Sequence, residues 1–210
     1  MTKKVAWFWR RGFHFLFGVG LAALLHYGVF AVLGSYIPAY VLPVPSRPLL
    51  AILAAGSFLA LLSTRFRVPV IYRLLKTFGK PGEVRAFPGK SAFFYVLAAF
   101  VAVWAFGVDI AVASLLILAV GDPVSHVIGK KYGRIPHPLD SKKFIDGNVA
   151  GMIAGGICAA LFFPPLEAFA ASAVAMYAEG IALGRVEKFL DDNIIVPMVA
   201  GAVLFILSLL

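Results

Sequence analysis

The sequence predicts an all-α, polytopic membrane bundle of about seven transmembrane helices, and three observations carry that reading. Apolar residues make up 61% of the 210 and charged residues 14%, with a mean hydropathy of +0.93. Soluble domains sit nearer about 45–50% apolar and about 25% charged, and a 22.5 kDa globule could not hide this much apolar surface from water. Next, the apolar residues fall into seven runs approaching the ~20 residues a helix needs to cross a bilayer. Finally, the basic residues gather almost wholly in alternate connections.

The chain opens on Val5-Ala-Trp-Phe-Trp-Arg-Arg-Gly-Phe-His-Phe, where aromatics alternate with cations. Residues 1–12 read as an interfacial amphipathic segment feeding the first span. The apolar run behind it is too long for the h-region of a cleavable signal. The spans follow at Phe13–Leu33, Leu49–Leu62, Ser91–Gly107, Ile110–Ile128, Val149–Phe163, Ala168–Leu183 and Ile194–Leu210. Pro and Gly punctuate the connection Gly34–Pro48, which reads as irregular. No repeat or low-complexity tract divides the chain, so residues 1–210 form one unit.

Four basic residues precede the first span: Lys3, Lys4, Arg10 and Arg11. The second connection holds seven: Arg65, Arg67, Arg73, Lys76, Lys80, Arg85 and Lys90. The fourth holds Lys130, Lys131, Arg134, Lys142 and Lys143, and the sixth holds Arg185 and Lys188. Of the 19 Lys and Arg, only Arg47 lies on the other side. The positive-inside rule then places the N-terminus in the cytoplasm and the C-terminus outside. The net charge of +9 and the pI near 9.9 therefore belong to cytoplasmic connections and exclude a nucleic-acid-binding module. A lone Cys158 excludes an intrachain disulfide and a cysteine-based metal cluster.

Acids are asymmetric too. Asp109 and Glu167 lie in tight outer connections; Glu83, Asp122, Asp140, Asp146, Glu179, Glu187, Asp191 and Asp192 lie in or near the cytoplasmic side. Charge at bilayer depth is costly and marks functional sites, so the chemistry is expected at the cytoplasmic face.

The fourth span ends Gly121-Asp-Pro-Val-Ser-His-Val-Ile-Gly-Lys-Lys-Tyr-Gly. On a helix, Asp122, Ser125, His126 and Gly129 share one face, with Asp122 about 12 Å inside Lys130 at 1.5 Å per residue. Pro123 removes a backbone donor and is expected to open the helix locally. Ser141-Lys-Lys-Phe-Ile-Asp-Gly-Asn follows, where Lys142 and Lys143 before Asp146-Gly147 at a helix start suit phosphates, through ammonium charge and free N–H groups. Gly147, Gly151 and Gly155 also form a small-xxx-small face for close helix packing. In Asp191-Asp192-Asn193, either Asp192 or Asn193 could cap the last helix, yet paired carboxylates beside lysine-rich connections suit a hard cation such as Mg²⁺. Glu179 is a further intramembrane acid whose simplest role is a helix–helix hydrogen bond. His14, near the inner end of the first span, is too isolated for a metal site. Gly82-Glu-Val-Arg-Ala-Phe-Pro-Gly-Lys-Ser ends like a P-loop, but its glycine spacing and the absence of a preceding strand exclude one.

Four of these motifs together resemble the CTP-dependent lipid-alcohol kinases, the family of dolichol kinase, phytol kinase and CTP-using diacylglycerol kinase. They are Gly121-Asp122-Pro123, Gly129-Lys130-Lys131-Tyr132-Gly133, Lys142-Lys143-x-x-Asp146-Gly147 and Asp191-Asp192-Asn193-x-x-Val196-Pro197. Arg10-Arg11-x-x-His14 and Phe87-Pro88-Gly89 add to the likeness, which runs from about residue 10 to 200. The chain departs from the pattern at Asp146, where the family more often has Glu, and at His126 and Pro138-Leu139-Asp140.

The resemblance implies one membrane-embedded kinase domain that moves the γ-phosphate of CTP onto a membrane lipid alcohol: a polyprenol or dolichol first, with phytol-like alcohols or diacylglycerol also in view. It implies Asp122, Asp192 and Lys142 in catalysis, and Asp122, Asp191 and Asp192 on Mg²⁺, with Asp122 open between metal ligand and general base. Lys130, Lys131, Lys142, Lys143, Gly129, Asp146, Gly147 and Asn193 are expected near the nucleotide, and His14, Ser125, His126 and Glu179 near the lipid alcohol or as accessory groups. The expected setting is a multi-pass protein of a prokaryotic cell membrane rather than the endoplasmic reticulum, and a homodimer is compatible with it. A cytidylyltransferase making a CDP-lipid would use the same nucleotide and cation. An anion transporter would favour paired midplane sites or inverted repeats, and neither is visible.

Overall fold

A computed structural model describes residues 3–38, 41–65, 89–138, 140–180 and 191–210; for residues 3–10, 64, 140–142 and 180 it describes the backbone. Much of the expected connections Arg65–Lys90 and Arg185–Lys188, the segment 82–88 and the end of the sixth span at 181–183 lie outside the described residues, as do Leu139 and Glu187.

Helices dominate. Helix α1 runs Lys3–His26 and α2 runs Val29–Ser35. The expected interfacial segment and first span are thus one continuous helix as far as His26. The remainder of the span turns away by 63°, because Gly28 takes a left-handed conformation (φ 72°) that ends one helix and starts the next. Helix α3 follows at Ser46–Arg65 and α4 at Lys90–Phe106. Between α2 and α3, the Arg47 guanidinium donates to the carbonyls of Leu42, Gly34 and Ile37 and gathers the connection around itself.

A turn at Gly107 (φ 87°) leads into α5 (Val108–Leu116), a π-helical turn (Ile117–Gly121) and α6 (Asp122–Tyr132), together a 25-residue rod. Pro123 does not break this rod. It lies in the first turn of α6, where a missing N–H costs little, and the local opening occurs one turn earlier as the π turn. Such bulges concentrate at functional sites. A two-stranded antiparallel hairpin comes next, β1 (Pro136–His137) and β2 (Asp140–Phe144). Three helices complete the chain: α7 (Ile145–Ala159), α8 (Pro165–Gly180) and α9 (Asp192–Leu207). Lys142 and Lys143 therefore belong to a strand; the helix starts only at Ile145.

The rod α5–α6 is central, with 67% of its most apolar stretch buried against its neighbours, whereas α3 is peripheral at 28%. The core is rich in alanine, including Ala98, Ala99, Ala102, Ala111, Ala113 and Ala175, which lets backbones approach closely. At the seam of α6 and α7, an added Cβ on Gly147 would lie 2.5 Å from the Ser125 carbonyl oxygen and 2.9 Å from Gly129 Cα. The packing role read for these glycines is thereby observed. Among the described residues, Ser46–Ser63 and Val108–Tyr132 are long and apolar enough to cross a membrane, and α1 with α2 makes a third if the bent pair is one span. Helices α4, α7 and α9 are apolar but shorter.

Candidate active site

Asp122 follows the π turn directly, so the opening of the ladder aims this acid inward. Its side chain is buried, and Oδ2 meets Arg11 Nη1 at 2.5 Å. Oδ1 lies 3.0 Å from His126 Nδ1, one helical turn on. With the proton on Nδ1, the imidazole donates to this carboxylate and keeps Nε2 as an acceptor. The expected face of α6 is observed: Asp122, Ser125 and Gly129 are buried along it and His126 lies half-buried beside them.

A polar cleft of about 250 Å³ opens on this cluster. Its lining includes Arg11 and His14 from α1, Ser91 from α4, Asp122 and His126 from α6, and Asp191, Asp192 and Asn193 at the start of α9. Asp191 is the N-cap of α9: its Oδ1 accepts from the Asn193 backbone N–H at 3.2 Å and from Asn193 Nδ2 at 2.6 Å. Asn193 Nδ2 also lies 3.4 Å from the Ser91 carbonyl oxygen, tying α9 to α4. A second cleft, of about 240 Å³, is lined by Ser125, His126, Gly129, Lys130, Lys143, Phe144 and Asn148. His126 borders both.

Strand β2 carries Lys143 to Glu179 in the last turn of α8. The ammonium donates to Glu179 Oε1 at 2.8 Å and to the Glu179 backbone carbonyl oxygen. Burial alone would lower the Lys143 pKa; the carboxylates of Glu179, then Asp192, outweigh it and hold the ammonium above its ordinary value. Glu179 Oε2 is buried with no hydrogen-bond partner among the described residues. Asp122, His126 and Glu179 each bring one donor atom within 4.8 Å of the others. Carboxylate oxygens of this kind, with Asp191 and Asp192 lining the same region, are the donor set a hard divalent cation takes, so the residues fit Mg²⁺.

Several expected residues take other positions. Asp146 Oδ2 accepts from the backbone N–H groups of Arg134 at 2.8 Å and Ile135 at 3.0 Å. Those N–H groups, Ile135 first, hold its pKa below the usual carboxylate range, and the acid pins the hairpin to α7. Lys131 is exposed, its ammonium 5.0 Å from the Tyr132 ring centroid. Gly147 is spent on the helix seam. The Lys142 side chain lies outside the described residues. Glu179 makes an ion pair with the hairpin rather than a simple helix–helix hydrogen bond. Four lining residues had no place in the sequence reading of the site: Arg11, counted there as topological charge and as part of the family likeness, Ser91, Phe144 and Asn148. The available signal was Arg11 and His14 at i, i+3 on α1, one face aimed at one target.

Fold and clefts together define an apolar helical bundle in which a buried carboxylate meets a guanidinium and a half-buried imidazole. Among curated proteins the chain is similar to a probable chloroplastic phytol kinase of Zea mays, 31% identical over 143 residues, which are 61% of this chain and 46% of that protein. It is also similar to the CTP-dependent diacylglycerol kinase 1 of Schizosaccharomyces pombe, 24% identical over 164 residues, 68% of this chain and 72% of that protein. The match thus spans less than half the length of the first relative. Both are named as kinases of a lipid alcohol, so the resemblance drawn from the motifs is borne out at the level of the family. No family model and no solved structure matches the chain.

Proposed function

We propose that this chain is an integral membrane kinase that transfers the γ-phosphate of CTP to a lipid alcohol at the cytoplasmic face. The observation that carries the reading is the convergence of Arg11, His14, Asp122, His126, Asp191, Asp192 and Asn193 on one cleft, beside a second cleft bearing Lys130 and Lys143. Phosphoryl transfer is mainly positioning and charge neutralisation, and the two clefts offer cations on one side of His126 and carboxylates on the other. The relatives' names supply the donor and the acceptor class.

In this reading Lys130 and Lys143, with Lys142, bind the phosphates. Asp122, Asp191 and Asp192 would hold Mg²⁺, which supplies neutralisation of the charge on the phosphate oxygens when bound. Asp122 also orients the imidazole, and Arg11 fixes Asp122. The acceptor hydroxyl sits at the border of the clefts, where His126 Nε2 takes its proton as the acceptor oxygen bonds to the γ-phosphorus. The bond from that phosphorus to the bridging oxygen breaks, and CDP leaves. A polyprenol or other single-chain isoprenoid alcohol is the proposed acceptor.

The seven-span topology belongs to the same proposal. Exposed apolar residues on several helices, such as Phe58 and Leu61 of α3, Trp104 of α4 and Leu166 of α8, support a lipid surround. Cysteines placed at Ser141 and at Arg47 should label from the cytoplasmic and outer sides respectively.

The test is purified protein with γ-labelled CTP, Mg²⁺ and separate polyprenol, phytol and diacylglycerol acceptors. Label should enter the lipid, with CTP far ahead of ATP. Equal use of ATP would overturn the donor assignment, and release of diphosphate with a CDP-lipid would replace the kinase by a cytidylyltransferase.

A further inference from the structure

A second, apolar hollow lies against the polar cleft. It runs between α1, α3 and α4, and Phe17, Leu53, Gly56, Ala60, Ala92 and Val96 are among its walls. Two features join it to the acid cluster. Phe17 stands one turn beyond His14 on α1, and both rings face Tyr95, at 5.6 Å and 6.3 Å between centroids. Ala92 and Gly89, in the hollow, flank Ser91, which lines the polar cleft. The hollow thus neighbours, through α1 and the start of α4, the cleft that Asp122 and His126 line.

Its outer wall is the peripheral helix α3. Leu53, Gly56 and Ala60 follow one another at i, i+3 and i+7, a single face. Leu53 and Ala60 are buried, while Gly56 between them is exposed, and a Cβ added there would meet nothing within 4 Å. Glycine at this point leaves a gap in an otherwise continuous ridge. An apolar hollow with a gap on the exposed side of α3, neighbouring the cleft of a carboxylate–imidazole pair, is matched to a hydrocarbon chain ending in a hydroxyl. At about 280 Å³ it is at the small end for ligand sites, enough for the hydroxyl-proximal stretch of one chain.

We propose that this hollow seats the acceptor's hydrocarbon chain, hydroxyl end toward Asp122 and His126, and that Gly56 holds its mouth open. The proposal rests on the kinase reading for the identity of the ligand as acceptor, but its geometry is independently testable. Gly56→Leu places a side chain at the mouth from a position where an added Cβ meets nothing within 4 Å. Gly20→Leu, on α1 and likewise with nothing within 4 Å, is the matched control away from the hollow.

With full-length protein in nanodiscs, G56L should raise the KM for phytol or a polyprenol by about tenfold or more, the scale on which an apolar pocket discriminates a methylene or two. The KM for CTP and the melting temperature should stay put, and G20L should resemble wild type. A photoactivatable long-chain alcohol, without CTP, should label α3 and α4 at residues facing the hollow, and G56L should remove that labelling. This second readout stands even if the wild-type chain phosphorylates no alcohol, an outcome that would sink the kinase reading alone. A stable G56L protein with unchanged acceptor KM, or labelling spread over the outer surface and indifferent to G56L, overturns the proposal.

Discussion

Arg11 Nη1 stands 2.5 Å from Asp122 Oδ2, joining side chains 111 positions apart in the sequence. The pair locks α1, two turns in, to the turn where the π segment becomes α6, and leaves the second carboxylate oxygen to His126. Breaking a fully buried pair by removing one partner costs about 3–5 kcal/mol. The side chains here retain 17% and 10% exposure, which brings the expectation nearer to about 2 kcal/mol. Arg11→Ala and Asp122→Asn should each lower the melting temperature in detergent. The double variant should recover part of the loss, because neither group is then left charged without its partner. Additive losses would show that the pair contributes nothing as a pair.

The seam between α6 and α7 should tolerate no side chain. A Cβ on Gly147 would press on the Ser125 carbonyl oxygen and on Gly129 Cα, both backbone atoms that cannot swing aside. Gly147→Ala should destabilise by about 1–3 kcal/mol, the usual cost of overpacking. Gly12→Ala, in α1 with nothing within 4 Å, should be neutral or stabilising by up to about 1 kcal/mol, since glycine weakens a helix interior. Equal melting temperatures for the two variants would refute the close-packed seam.

The Lys143–Glu179 pair sets an alkaline limit. Lys143 has a folded-state pKa above its ordinary value, so its contribution to stability is fully present below about 10.4, the unfolded-state value. It is lost as pH rises through the higher folded-state value. Stability measured across pH 9–12 should therefore fall less steeply in Glu179→Gln than in wild type. An identical alkaline limb in both would mean that Glu179 does not sustain the Lys143 charge.

Much of the candidate site was legible because it is local. Asp122, Ser125, His126 and Gly129 share a face by helical spacing alone, and Asp191-Asp192-Asn193 announces a helix start next to basic connections. The positive-inside pattern predicts that these segments share one face. What sequence spacing could not convey is long-range pairing. Nothing near Arg11 indicates Asp122, and nothing near Glu179 indicates Lys143. The break at Gly28 had a visible cue in a glycine within an apolar run, but the run was long enough to satisfy a full span and hid it. The helix start expected at Asp146-Gly147 is observed, with the helix running from Ile145, but nothing in the spacing of Lys142 and Lys143 shows that they lie on a strand. The hairpin is held because Asp146 accepts from Arg134 and Ile135 and draws the chain back on itself.

Asp191 and Asp192 separate capping from chemistry within two adjacent residues. Asp191 is the observed cap, accepting from Asn193 through one oxygen. Asn caps about as well as Asp, so Asp191→Asn should lose only about 0.3–1 kcal/mol of interaction with the helix dipole, whereas Asp191→Ala should cost about 0.5–2 kcal/mol. Asp192 is the first residue of α9 and lines the polar cleft with Asp122. If its role is to hold Mg²⁺ against the phosphates, Asp192→Asn removes a charged ligand where charge is redistributed during transfer. Loss of one preorganised electrostatic partner costs about 10²–10³ in rate, roughly 2.7–4 kcal/mol. Asp192→Asn should therefore melt like wild type in detergent yet transfer phosphate from CTP at least about two orders of magnitude more slowly. Raising the Mg²⁺ concentration should recover part of the rate if the lost group is a metal ligand, and none if it served only the fold. A fully active Asp192→Asn protein would return the whole Asp191-Asp192-Asn193 run to helix capping.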